Sequence, residues 1–221
     1  MKIATDLFQE VIEIKEGEAV SLIIENPRIH FELLKQIHCQ INGGESDVIF
    51  SEDNGIIKAS KKVELFNVFP LTDLNEKRII SRLSSLLEEE SLNENNYADC
   101  TEVLSHIERF VYKISDSIPY NVICSNLSLE SIIKACGIRI EDDCETDIER
   151  IIVYMNIVRE LLGKKLFIIT NLKTYFDSND IALFVDMVRM QKQYVLLLDG
   201  IEGDNITGLQ RIIIDRDLCV F

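Results

Sequence analysis

Lysine and arginine residues occur in short clusters along this chain of 221 residues. Such side chains neutralise nucleic-acid phosphates without reading the base sequence, and several of them along a groove are enough for binding. The candidates are Lys58 with Lys61 and Lys62, then Lys77 with Arg78 and Arg82, then Lys134 with Arg139, and finally Arg159 with Lys164, Lys165 and Lys173. Taken singly, each cluster is typical of a solvated face. Taken together, they favour phosphate contacts.

A second candidate chemistry is metal-assisted hydrolysis. Glu13-Ile14-Lys15, with Asp6 upstream, resembles the Asp…Glu-x-Lys arrangement of metal-dependent nucleases. Such a site holds Mg²⁺ through carboxylates and retained waters. The apolar run 196–198 ends at Asp199, as the second nucleotide-binding element of a nucleotide hydrolase does. Both patterns are short and arise readily by chance, so a metal-dependent nuclease or a degenerate nucleotide hydrolase is the alternative function.

The motifs that would make either enzyme convincing are missing. A phosphate cradle needs G-x-x-x-x-G-K-[ST], and the nearest fragment, Gly163-Lys164, has Val158 and Lys165 in the required Gly and Ser/Thr positions. We interpret this fragment as a helix cap followed by an edge lysine. The chain has no G-x-G-x-x-G, no G-x-S-x-G and no H-E-x-x-H, and its three histidines lack metal-ligand spacing. We therefore predict no catalytic residues and no nucleotide cofactor.

The formal net charge of −15 argues against a polyanionic partner only if the acidic residues are spread evenly. They are not, because residues 88–108 contain seven acids and residues 141–149 contain six, with no Lys or Arg in either stretch. With these thirteen set aside, 25 acids nearly balance 23 bases. A near-neutral body with local basic clusters can bind DNA if the acidic stretches face elsewhere.

The composition also indicates the compartment. The segment MKIATDLFQEVIEIKEG has no uninterrupted apolar core after its first lysine, so it does not resemble a signal peptide. The longest apolar stretches are five or six residues, whereas a membrane span needs about 18 or more. The six cysteines form no C-x-x-C pair, which predicts reduced, mostly buried thiols. We expect a cytoplasmic protein with no membrane partner.

The elements that must position these residues follow from hydrophobic periodicity. Apolar patterns predict strands over 10–15, 19–24, 48–50, 63–69, 166–170, 194–198, 211–214 and 218–221. Helical spacing predicts helices over 31–41, 76–90, 101–114, 131–136 and 147–162, and one that is capped near Ser178. The polar link 91–99 is typical of the tip of an antiparallel helix pair. Strand, helix and strand within 166–198 predict a right-handed βαβ unit with a buried parallel pair.

These elements predict an α/β fold with a parallel-sheet core and an inserted helical domain. The core domain comprises residues 1–70 and 147–221, and the helical domain comprises residues 71–146.

The order of segments resembles the Csn-two family, the CRISPR-associated ring proteins of type II-A spacer acquisition. The resemblance rests on VELF at 63–66, PLTD at 70–73, IIKACGIRIE at 132–141, GKKLFIITN at 163–171, TYF at 174–176, VLLL at 195–198 and IDRD at 214–217. It covers most of the chain and is strongest after residue 128. None of these segments is a catalytic motif.

The resemblance implies an α/β domain like a degenerate P-loop ATPase head, together with a protruding helical domain. It also implies a non-catalytic homotetrameric ring that binds the ends of linear double-stranded DNA without sequence specificity. Its partners are the CRISPR integrase proteins and the type II effector nuclease. The DNA-facing residues that we carry over are Lys134 and Arg139, which match basic family positions, and Lys35, Lys58, Lys61 and Lys62, which lie in regions that contribute lysines.

The resemblance further implies calcium, which the family binds through an acidic run before the helix of Lys134. The corresponding segment here, IPYNVICSNL at 118–127, contains no carboxylate, whereas calcium usually needs several. The usual site is therefore absent or rebuilt. A replacement could come from Glu141, Asp142, Asp143 and Glu145, although an acidic loop that caps the following helix is the simpler interpretation. A third function, a purely structural adaptor whose acidic helix pair docks basic partners, stays open.

Overall fold

The computed structural model describes residues 1–53, 55–68 and 72–221. Within it the chain divides into two compact units. The α/β unit comprises Met1–Asp73 and Asp142–Phe221, and the helical unit comprises Leu74–Glu141. Asn54, Phe69 at the end of a predicted strand, Pro70 and Leu71 lie outside the described residues. The predicted domain boundary between residues 70 and 71 lies outside them as well.

All described strands belong to the α/β unit. They are β1 (Lys2–Ala4), β2 (Ile12–Glu13), β3 (Ala19–Ile24), β4 (Ile49–Glu52), β5 (Gly55–Ile56), β6 (Val63–Asn67), β7 (Leu166–Thr170), β8 (Tyr194–Asp199) and β9 (Gln210–Ile214). The helices are α1 (Pro27–Ile41), α2 (Ala59–Lys62), α3 (Lys77–Ser91), α4 (Tyr97–Ser115), α5 (Leu129–Ala135), α6 (Asp147–Leu162), α7 (Leu172–Tyr175) and α8 (Ser178–Met190). Of these, α3, α4 and α5 form the helical unit.

A five-stranded parallel sheet in the order β6-β7-β8-β3-β9 forms the centre of the α/β unit. Every residue of β3 and β7 is buried, as expected for central strands covered on both faces. The predicted parallel pairing of 166–170 with 194–198 is confirmed as β7 beside β8. The mixed α/β class with a parallel sheet is likewise confirmed.

A second, antiparallel sheet in the order β2-β1-β4-β5 was not predicted. Its strands are two to four residues long, too short to produce a clear alternation of apolar and polar residues. The strand predicted over 10–15 is limited to the two residues of β2. The prediction of a strand over 218–221 is wrong, since this segment makes only an isolated bridge between Ile214 and Val220.

Side-chain hydrogen bonds cap the starts of α1 and α5, both of which begin before the predicted residue. Ser128 accepts a hydrogen bond from the Ser131 amide at the start of α5. Asn26 does the same for α1, so the dipeptide Asn26-Pro27 begins a helix as well as ending the preceding strand. The helix α6 covers the predicted residues 147–162 and ends at Gly163, whose φ of 70° is left-handed. None of the described helices is long and apolar enough to cross a membrane.

Replacement of Gly163 by alanine is expected to lower the free energy of unfolding by about 1–2 kcal/mol, because a Cβ atom disfavours left-handed backbone. No heavy atom lies within 4 Å of the added Cβ, so the loss is one of backbone strain rather than of packing. Urea denaturation of Gly163→Ala measures it. Gly55→Ala is the control, since Gly55 has no left-handed φ and its Cβ would meet only a backbone oxygen at 3.6 Å. Equal losses in the two variants would contradict the assignment.

The helices of the helical unit are less buried than those of a closely packed antiparallel pair would be. Residues of α3 and α5 pack together, and Asn75 fixes the segment after α5 by a side-chain hydrogen bond to Ile140 O and another from Ile140 N. By contrast, none of the 19 residues of α4 is buried.

The prediction of mostly buried cysteines is wrong. All six cysteines are free, as predicted, but four are half-buried and two exposed. Among the histidines, His30 is half-buried, and this burial lowers the pKa of its imidazole.

Candidate nucleic-acid interface

The amino ends of the parallel strands meet three helix ends at one edge of the sheet. Helices α2, α6 and α8 each lead into the following strand, so they run back across the sheet and end where β6, β7 and β8 begin. Free carbonyl groups and the negative ends of helix dipoles therefore collect at this edge. Lysine and arginine side chains are stabilised in such positions.

A groove of about 560 Å³ lies at this edge, and its cations are Lys62, Arg159, Lys164, Lys165 and Lys192. We call it the basic groove. Arg159 donates a hydrogen bond of 2.8 Å to Gln191 O, and Lys62 Nζ lies 3.4 Å from Gly163 O. These contacts hold the side chains in place through neutral carbonyls, so their positive charge is not cancelled.

Carboxylates neutralise only part of the basic groove. Lys165 Nζ lies 2.9 Å from Glu52 Oε2, and this hydrogen bond raises the pKa of Lys165. Glu16 is the one acid that lines the groove itself. Within the described residues, Lys62, Arg159 and Lys192 form no ion pair. These three side chains can therefore contact phosphate oxygens without first breaking an ion pair.

Lys164 is not the edge lysine that the sequence predicted. Its side chain is 9% exposed, and Nζ donates to Ser60 O at 2.9 Å and to Val63 O at 2.8 Å. Glu64 Oε2 lies 3.6 Å from the same atom, and Tyr154 donates its hydroxyl to Glu64 Oε1. The ammonium group joins α2, β6 and the end of α6 from within, which makes it a structural group.

Lys173 does not share a surface with the other members of its predicted cluster. Position 173 follows β7, whereas Arg159 and Lys165 precede that strand. Lys173 therefore lies at the opposite, carboxyl edge of the sheet, where Nζ donates to Ser21 Oγ at 2.7 Å. The sequence shows that Lys165 and Lys173 flank the same strand. It does not show that the two ends of this strand lie at opposite edges of the sheet.

The predicted DNA-facing residues fall into separate groups. Lys61 is exposed on α2 and Lys58 is exposed immediately before this helix, and neither lines the basic groove. Lys35 is exposed on α1 and paired with Glu32 at 3.3 Å. In the helical unit, Lys134 is paired with Glu130, whereas Arg139 is exposed and forms no ion pair within the described residues. Of the six predicted residues, only Lys62 lines the groove.

Sequence reasoning missed Lys192. This residue follows α8 in a turn and has a left-handed φ of 53°, which carries its exposed side chain to the amino edge beside the end of α6. The available signal was its place between a helix end and a buried strand. That place corresponds to the place of Lys164 and Lys165 before β7.

The carboxylates of the alternative enzyme do not form a site. Glu13 is paired with Lys2 at 3.9 Å, Lys15 with Glu18 at 3.9 Å, and Asp6 is exposed. In the part of the chain that the structure describes, no three His, Cys, Asp or Glu side chains are arranged to hold a metal ion.

The same result bears on the four carboxylates considered for calcium. Asp142 is bound to Arg150 at 2.7 Å, and Glu141, Asp143 and Glu145 are exposed. The residues present therefore do not fit a calcium site, and no step of the proposed function uses one.

The model of the family described as CRISPR-associated protein (Cas_Csn2) matches residues 40–218 of this chain. The chain belongs to the Csn2 family. This is the family that the sequence resemblance indicated as Csn-two, and membership supports a role in CRISPR type II-A adaptation.

Two curated relatives and one solved structure illustrate the range of similarity. CRISPR-associated protein Csn2 of Enterococcus faecalis is 28% identical over 208 residues, which cover 90% of each chain. CRISPR-associated protein Csn2 of Streptococcus agalactiae is 22% identical, with 91% of this chain and 89% of the relative covered. The crystal structure of Stu0660 of Streptococcus thermophilus has a TM-score of 0.56 at 11% identity, and the match covers 97% of this chain and 74% of that one. That structure supports the fold alone.

Proposed function

We propose that this Csn2-family protein binds the ends of linear double-stranded DNA without sequence specificity during CRISPR type II-A spacer acquisition. In this proposal it acts as a non-catalytic homotetrameric ring in the cytoplasm, alongside the CRISPR integrase proteins and the type II effector nuclease. The observation that carries the proposal is the family match over residues 40–218. The physical support is the basic groove, whose cations suit phosphates.

The chemistry of the groove favours binding over base recognition. Its cations end in ammonium and guanidinium groups, of which those of Lys62 and Arg159 lie against carbonyl oxygens, and such groups can contact phosphate on any sequence. Ring closure multiplies such clusters by symmetry, so a few cations per subunit become a continuous positive lining. Acidic side chains that face outward repel DNA weakly, because the Debye length at physiological salt is about 8 Å.

We also propose that the α/β unit is a degenerate P-loop ATPase head that does not hydrolyse nucleotides. In phosphate-binding folds, the helix that follows the first strand of the parallel sheet points its backbone amides at the phosphate. The corresponding elements here are β3 and α1. Here Asn26 Oδ1 accepts hydrogen bonds from the amides of Arg28 at 3.1 Å and Ile29 at 3.5 Å, and Pro27 has no N–H group. These interactions leave the start of α1 without free donors for a phosphate.

The decisive experiment is a gel-shift titration with linear and covalently closed circular DNA of equal length, at two salt concentrations. We expect the linear form alone to bind, with an affinity that falls steeply with salt because each phosphate contact releases counterions. Equal binding of both forms would contradict end binding and indicate an open surface. Binding of neither form, with or without Ca²⁺, would favour the adaptor that docks basic proteins. Turnover of DNA or nucleotide with Mg²⁺ would contradict the non-catalytic assignment.

A further inference from the structure

A polar crevice lies at the carboxyl edge of the parallel sheet, opposite the basic groove. It has a volume of about 430 Å³ and is lined by His30, Asn171, Lys173, Thr174, Asp199 and Glu202, among others. In the strand order β6-β7-β8-β3-β9, the connection after β3 leads toward one end of the sheet, to β6. The connection after β8 leads toward the other end, past β3 to β9. Right-handed crossovers place these two connections on opposite faces of the sheet. Crevices at such switch points are where parallel α/β sheets bind ligands.

Buried polar atoms without partners are concentrated around this crevice. Within the described residues, six buried side-chain atoms make no hydrogen bond, and three of them are His30 Nε2, Asp199 Oδ2 and Arg211 Nε. Asp199 is only 6% exposed, so this oxygen has no access to bulk water. An unsatisfied buried polar group costs about 1–3 kcal/mol. Such a cost at the wall of a cavity is offset when a ligand supplies the missing hydrogen bonds.

The charges around the crevice cancel. Lys173 and Asp199 carry opposite charges, and so do Arg211 and Glu202, which are hydrogen-bonded to each other. Burial raises the pKa of Asp199 and lowers the pKa of Lys173, while each charge opposes the shift of the other. The crevice therefore has no surplus charge to bind a phosphate or a free cation, and it suits a ligand with no net charge.

The hydrogen-bonding groups define the ligand further. Asp199 Oδ2 can accept, and Lys173 has N–H groups beyond the one that it donates to Ser21 Oγ. An uncharged partner must therefore present a donor next to an acceptor. The Watson–Crick edge of a nucleobase has this arrangement, and the volume suits a molecule of nucleoside size.

We propose that the crevice binds a nucleobase through its hydrogen-bonding edge, with Asp199 as the acceptor and Lys173 as the donor. Phosphates are not part of the recognition, because Asn26 occupies the amides at the start of α1. A free nucleoside and an unpaired base in a DNA strand present the same edge. The proposal does not depend on the end-binding function.

The test is ligand-observed NMR with the full chain and a panel of adenosine, guanosine, cytidine and thymidine, with glycine and ATP as comparison molecules. We expect at least one nucleoside to bind. Asp199→Asn should weaken that binding about tenfold to hundredfold, the usual loss for a hydrogen bond to a charged group. Thr174→Phe should block the crevice from its exposed rim, and Asp217→Asn, an exposed substitution elsewhere, should change nothing.

Absence of nucleoside binding, binding of glycine alone, tighter binding of ATP than of adenosine, or binding that survives both crevice variants would each overturn the proposal. Thermal denaturation verifies that the variants remain folded, and Thr174→Phe keeps the test valid if Asp199→Asn does not fold. Competition then identifies the source of the base. Displacement by a duplex with a single-stranded overhang, but not by a blunt duplex, assigns the base to DNA, and no displacement assigns it to a free nucleoside.

Discussion

Replacement of Lys62, Arg159 and Lys192 by alanine in one variant is expected to reduce the salt dependence of DNA binding. These are the cations of the basic groove that form no ion pair within the described residues. Each phosphate contact contributes about 0.9 to the slope of log K against log salt for duplex DNA, so the loss of three contacts lowers the slope by about 2.7 for each subunit that contacts the DNA. Gel shifts of linear DNA at several salt concentrations measure this slope directly.

The matched control replaces Lys2, Lys113 and Arg216 by alanine. These residues are exposed and lie outside the groove, and their replacement removes the same total charge. We expect the control to change the slope little, because contact with phosphate, rather than net charge, determines counterion release. Equal slopes for the two triple variants would show that the DNA contacts lie on another surface. Arg139 of the helical unit would be the next residue to replace.

The fold was predictable where the sequence pattern is strong. The continuous apolar runs at 166–169 in β7 and 194–198 in β8 and the wide apolar stripe of α6 gave the parallel pair and its flanking helix, because a strand buried on both faces is apolar at nearly every position. The small antiparallel sheet was not predictable. Its register depends on tertiary contacts such as the pairing of Ile3 with Phe50 and Ile12, which no local pattern encodes.

The candidate site was predictable in residue type but not in placement. Lys164 and Lys165 are neighbours in sequence, yet one lies inside the protein with Glu64 and the other is partly exposed beside Glu52. Successive side chains in an extended segment point to opposite sides, which explains why the two lysines differ. Which of these sides is the protein interior depends on where α2 packs. The partners of Lys164 are about a hundred residues away in sequence, so its burial could not be read locally.

Two acids outside the acidic stretches have a structural role that composition alone could not reveal. They pair with the exposed lysines that looked most available for DNA, since Glu32 is paired with Lys35 and Glu130 with Lys134. An exposed pair of this kind is worth about 0–1 kcal/mol, so DNA can displace it at modest cost. Within the described residues, Lys62, Arg159 and Lys192 of the basic groove have no such ion pair, which makes them better candidates for phosphate contact.

Replacement of Lys164 by methionine is expected to lower the free energy of unfolding by about 3–5 kcal/mol, the usual cost of leaving one member of a buried ion pair without its partner. Methionine approximates the length of the aliphatic stem but removes the ammonium group beside the buried Glu64 carboxylate. The carbonyl groups of Ser60 and Val63 lose their donor as well. Urea denaturation monitored by circular dichroism measures the change.

Two further variants separate the buried pair from a general effect of losing a lysine. Lys165→Met breaks a more exposed pair with Glu52, so it should cost at most about 1 kcal/mol. Addition of Glu64→Gln to Lys164→Met should recover part of the stability, because the amide removes the buried charge and keeps an acceptor for the Tyr154 hydroxyl. If Lys164→Met costs no more than Lys165→Met, the ammonium group is not held by the buried pair. An additive double variant would show that Lys164 acts through its carbonyl contacts alone.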